Sequence, residues 1–175
     1  MKKGVLGLFT ALAVLLASLS AWGQGFGQHQ NLKERALCVD ALTGIFVIDI
    51  EDAHAPPGLE KTSLGKALVD RLQAHLERAG IPVNKEFSCG RSKADMSLHF
   101  LLLPISFSSG TLGYAIRGDL LIKDWTSHPY PVTIWDAGHL WVTPSRTAAG
   151  LRKDLEEMTD SMATKLALDW LKGNR

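Results

Sequence analysis

The sequence predicts an α+β domain of order β-α-β-β-β-α, with a largely antiparallel sheet and two helices packed on one of its faces. Three observations carry this expectation. Apolar residues recur at three- and four-residue intervals in two stretches, Leu64, Ala67, Leu68, Leu72, Leu76, Ala79 and Leu151, Leu155, Met158, Met162, Leu166, Trp170. That is the spacing of a helix burying one side. Between them lie three runs rich in β-branched and aromatic residues, 96–107, 112–125 and 132–143, whose short connections make neighbouring strands antiparallel.

The elements follow in order. Residues 1–23 have the three parts of an export signal: Lys2 and Lys3, an apolar stretch over 5–16 broken by Gly7 and Thr10, then small and polar residues. Ala21 and Gly23 are suitably small for cleavage before Gln24. The apolar run 5–19 falls short of the roughly 20 residues that span hydrocarbon. Residues 24–31, rich in Gly and Gln, read as a flexible arm left by cleavage. A single domain then covers 32–175.

Its first strand is expected within 36–50, centred on 45–50, with Thr43 and Gly44 as a break. Ala55-Pro56-Pro57-Gly58 interrupts it, and Thr62 or Ser63 caps the first helix. Gly80 supplies a left-handed stop and Pro82 prevents re-entry. After a polar stretch over 89–93, the three strands form a meander with turns at 108–111 and 126–131. Ser145 or Thr147 caps the last helix.

Strand alternation sorts the faces. In the run 112–125, Tyr114, Ile116, Leu120 and Ile122 form the expected core side, opposite Arg117, Asp119, Lys123 and Trp125. In the last strand Val132, Ile134, Leu140 and Val142 share one side and Trp135, His139 and Trp141 the other. Taking the aliphatic side as core leaves Arg117, Trp125, Trp135, His139 and Trp141 as a candidate binding face, since aromatic residues dominate interface energetics.

The layout resembles that of small exported bacterial proteins and lipoproteins with an anticodon-binding-like α+β domain. The residues that carry the likeness are the Ala79-Gly80-Ile81-Pro82-Val83 exit from the first helix, the strand 114–122 with Gly118 and Asp119, and Thr133-Ile134-Trp135 ahead of a helical tail. The resemblance covers about 44–170 and implies an envelope component for assembly, secretion or scaffolding, without known catalysis. Such proteins often keep a lipobox; here Cys38 follows Arg35-Ala36-Leu37, which is not one.

Charge and motifs narrow the function classes. Loss of Lys2 and Lys3 leaves seventeen basic against eighteen acidic residues, a balance with no pull toward nucleic acid or an anionic membrane. Two cysteines, Cys38 and Cys89, favour a disulfide in an oxidising compartment. No cofactor or metal is expected: nucleotide-binding glycine motifs, Gly-x-Ser-x-Gly and paired His or Cys motifs are absent. Histidines and carboxylates such as His99, His139, Asp119, Asp136, His54 and Asp52 are scattered. The sequence therefore points to a periplasmic or secreted, non-enzymatic domain that binds an envelope partner or self-associates. Its rival is a small secreted hydrolase using His139 with Asp119 or Asp136. A carrier of an apolar ligand between sheet and helices is a third reading.

Overall fold

The computed structural model describes residues 28–40, 47–86, 89, 94–107, 110–126 and 130–175. The expected export signal 1–23, residues 24–27, part of the expected first strand, and residues 108–109 and 127–129 of the expected meander turns lie outside them. The fold is α+β, with a mixed sheet and two helices on one face.

The expected first strand is two short segments, β1 (Leu37–Asp40) and β2 (Ile48–Asp49). Both run parallel to β4 (Ala94–Phe107), β1 beside Ala94 to Met96 and β2 beside Phe100 and Leu101. A segment not expected from sequence, β3 (Val83–Glu86), pairs parallel with β1. Its Val-Asn-Lys-Glu composition gives no β signal, and it is a strand because β1 offers it a partner. Between β2 and β3 lies α1 (Lys61–Arg78), the crossover that parallel strands need.

Local chemistry sets the helix ends. Gly80, at φ 79°, takes the left-handed conformation, and the Ile81 and Gly80 amides donate to the Leu76 and Glu77 carbonyls at 3.0 and 2.9 Å. At the other end neither Thr62 nor Ser63 is the cap. Glu60 holds that position without a side-chain bond, and the Ser63 hydroxyl donates to the Glu60 carbonyl. The last helix, α2 (Ala148–Gly173), starts as expected at Thr147, whose Oγ1 accepts from the Gly150 amide at 3.1 Å.

The meander is as expected: β4 pairs antiparallel with β5 (Gly110–Asp124), and β5 with β6 (Val132–Thr143). Core residues on the sheet include Ile48, Phe100, Leu102, Tyr114, Ile116, Leu120 and Ile122. They meet Leu64, Leu68, Leu72 and Leu76 of α1 and Leu151, Leu155, Met158, Met162 and Leu166 of α2. Arg71 links the helices, its Nε and Nη2 donating to Asp160 at 2.8 and 2.7 Å. At Gly118 a Cβ would lie 2.7 Å from Phe100 and 3.1 Å from Met158. The middle of the sheet–helix space, where an apolar ligand would sit, is filled by side chains.

Cys38, fully buried on β1, is bonded to Cys89 in the segment between β3 and β4, with Cα atoms 5.8 Å apart. The N-terminal end departs from expectation. Residues 28–31, expected to be part of a free arm, belong to a 3-10 helix, Gln28–Leu32, seated against α2 and β6. Leu32 is fully buried, Asn31 Nδ2 donates to the Ile134 carbonyl, and Asn174 Nδ2 donates to the Leu32 carbonyl. Long-range polar partners, invisible in a Gln-rich stretch, order it. Among the described residues no helix is long and apolar enough to cross a membrane.

Candidate docking site on the last strand

Register decides which side of β6 faces the helices. Residues directly opposite in an antiparallel pair share a face. Ile122 opposes Trp135, Leu120 opposes Ala137, Gly118 opposes His139, and Ile116 opposes Trp141. Because Ile116, Leu120 and Ile122 are core, the aromatic side of β6 faces inward. The face expected from sequence is therefore corrected. Trp135 is fully buried, its Nε1 donates to Asp169 Oδ2 at 3.1 Å, and the Lys165 ammonium lies 5.5 Å from its ring centroid. His139 and Trp141 share that inner side, with His139 Nε2 3.4 Å from Ser161 Oγ on α2. Arg117 lies on the opposite face, paired with Asp119 at 2.8 Å. Trp125 is half-buried just beyond the end of β5. The five residues do not form one surface.

The aliphatic side, expected to be core, is the bare one. Leu140 and Val142 are 66% and 65% exposed, and Leu103 on β4 is 55% exposed. Cross-strand register sets them in two adjoining rows, Leu103–Ala115–Val142 and Leu101–Arg117–Leu140. Further along the same face the rows turn polar, with His99–Asp119–Gly138 followed by Ser97–Leu121–Asp136. Both helices pack on the other face, so among the described residues no helix covers these rows. Contiguous exposed apolar area rimmed by polar residues marks an interaction surface. The sequence did hold a signal for this parity: Asp136 shares its side of β6 with Leu140 and Val142, and a carboxylate marks solvent more firmly than a valine marks core.

The first half of β6 is closed. Asn31 Nδ2 and Lys165 Nζ donate to the Ile134 and Asp136 carbonyls at 2.9 and 3.4 Å, and Gln28 Nε2 donates to the Asp136 carboxylate at 2.7 Å. The second half is an open sheet edge, with Trp141 44% exposed.

His139, Asp119 and Asp136 do not assemble for acid–base chemistry. Asp119 opposes Gly138, and Asp136 opposes Leu121, so both carboxylates lie on the bare face while His139 lies on the helix face. The hydrolase reading needed them together, and the sheet separates them. Burial, and secondarily the charge of Lys165, hold the His139 imidazole below its ordinary value of 6.5. Among the described residues no three His, Cys, Asp or Glu side chains converge as a metal site. A cleft of about 320 Å³ opens where the N-terminal ends of α1 and α2 meet, lined by Gly58, Glu60, Ser63 and Arg152 among others. Its lining includes neither histidine nor cysteine, and a single carboxylate.

No family model matches the chain, and no curated protein matches it. Among solved structures it is similar to a PelC dodecamer from Paraburkholderia phytofirmans, at 12% identity over 82% of this chain and 90% of that one, with a TM-score of 0.43. It is also similar to a neuraminyllactose-binding hemagglutinin homologue from Helicobacter pylori, at 16% identity over 80% and 88%, with a TM-score of 0.47. A further likeness is to an uncharacterized protein at 11% identity over 78% and 92%, with a TM-score of 0.43. The function proposed below rests on this chain's own residues.

Proposed function

We propose that this chain is a non-enzymatic exported domain, periplasmic or secreted, that docks a protein of the cell envelope through the bare face of its sheet beside the second half of β6. The observation that carries the reading is the pair of apolar rows in which Leu103, Leu140 and Val142 are each more than half exposed. Covering such side chains removes apolar surface from water, the main favourable term in protein association. The envelope role implied by the resemblance of layout belongs to the same proposal.

The domain has the features a docking module needs. A disulfide and a core shared by two helices hold the sheet rigid, so little is lost to ordering when a partner lands. Arg117 sits inside the apolar rows with Asp119 beside it, giving the surface an oriented charge pair.

Site-specific photo-crosslinking in the export compartment tests the reading. A photoreactive side chain at Val142 is expected to give discrete protein adducts, whereas one at Lys153, on the exposed side of α2, gives none. Equal labelling at both sites, or none at Val142, would contradict it.

A further inference from the structure

We propose that the open edge beside this surface pairs with a second copy of the same chain, through an antiparallel β6–β6 ladder across a two-fold axis at Leu140. The inference rests on the docking reading and adds a partner at the edge of that surface.

The direction of the backbone groups is the starting point. Asn31 and Lys165 reach the Ile134 and Asp136 carbonyls from the side away from β5. Backbone groups of successive strand residues point to alternate edges, and no register shift interrupts β6 between Trp135 and Thr143. Gly138, Leu140 and Val142 therefore also turn their N–H and C=O outward. Among the described residues nothing bonds to them. The open stretch is bounded on one side by the capped Asp136 carbonyl and on the other by Pro144, which has no N–H.

That window is symmetric about Leu140, as a two-fold requires. Gly138 of each copy then pairs with Val142 of the other, and Leu140 with its own counterpart, every pair exchanging both backbone bonds. The same register continues the Leu101–Arg117–Leu140 row across the axis. Asp136 of each copy falls opposite Pro144 of the other, where the ladder ends. On the helix side the half-exposed Trp141 faces His139 of the second copy.

Two further points favour a copy over a flexible peptide. Three outward residues give few hydrogen bonds, too few to offset the ordering of a disordered strand, whereas a folded copy is already ordered. Natural edges are also guarded by charge, proline or covering segments. Here the guard of Asn31 and Lys165 stops at Asp136, and Gly138 to Val142 carries no lysine, arginine or carboxylate.

The test uses the mature protein with its native disulfide. Sedimentation equilibrium should show a dimer, and mild oxidation should crosslink Leu140→Cys. Paired Cα atoms in such a ladder are about 5.5 Å apart, within disulfide reach. Val142→Cys should stay uncrosslinked, because that residue and its counterpart lie four residues out of register, about 14 Å at strand rise. Leu140→Pro removes an outward N–H that no described neighbour uses, and should weaken the dimer at least ~10-fold while leaving the melting temperature of dilute, monomeric protein unchanged. Crosslinking of Val142→Cys as fast as Leu140→Cys would overturn the register. A wild-type monomer at every concentration overturns the second copy, and if Val142 photo-adducts persist in that case the docking reading stands with another partner.

Discussion

The two halves of β6 are one strand with one alternation and opposite fates. Between Ile134 and Ala137 the Ile134 and Asp136 carbonyls are capped by Asn31 and Lys165, and Trp135 is locked between Asp169 and Lys165 under α2. From Gly138 to Val142 the same edge has no cap among the described residues, and Leu140, Trp141 and Val142 all keep substantial exposure. The first half shows how this fold closes an edge when closure is needed. The difference teaches that Leu140 and Val142 are apolar without serving the core, as the proposed docking surface requires.

If that contrast is right, substitutions in the two halves should separate stability from association. The largest effect is expected at the closed half: Trp135→Ala should cost about 3–5 kcal/mol in denaturant unfolding by opening a cavity beneath α2. A loss below ~1 kcal/mol would mean that the inner side of β6 has been misassigned. Reduction of Cys38–Cys89, or its replacement by alanines, should cost about 2–4 kcal/mol, since it ties the central β1 to the segment leading into β4. Gly118→Ala should cost about 1–3 kcal/mol, because Phe100 and Met158 already occupy the space. By contrast Leu140→Ser, on the bare face at the two-fold axis, should shift stability by no more than ~0.5 kcal/mol while weakening self-association measured by sedimentation.

A smaller effect comes from His139, at the junction of the halves. The folded state holds its pKa below 6.5, so near and below that pH the unfolded chain binds the proton more readily. This contribution to stability is complete above pH 6.5 and is lost as pH falls through that value toward the folded pKa. Melting temperature should drop modestly from pH 7.5 to 5.5, and His139→Gln should flatten that part of the profile. An unchanged profile in the variant would assign the drop to other groups.

Much of the fold was legible because it rests on local patterns. The leucine spacing of α1, the Gly80 stop and the Thr147 cap each act within a few residues. The disulfide followed from cysteine count. What was not legible depends on distant partners. β3 is polar and becomes a strand only beside β1, and the 3-10 helix at Gln28–Leu32 is held by Ile134, Asp136 and Asn174. The candidate site failed for the same reason. Both sides of β6 are rich in apolar residues, so within the strand Asp136 was the one sign of which side is bare, and the register to Ile116 and Ile122 settles it. Arg117 was rightly placed opposite the β5 core, but the aromatic side of β6 was joined to the wrong face of its neighbour.

Amide hydrogen exchange of the mature protein at rising concentration tests the central claim most directly. The account predicts that the Gly138, Leu140 and Val142 amides exchange fast when dilute and become protected together as concentration increases, while the Trp135 and Ala137 amides, bonded inward to β5, are slow throughout. Exchange at Gly138, Leu140 and Val142 that is slow even at high dilution, or that never responds to concentration, would contradict it.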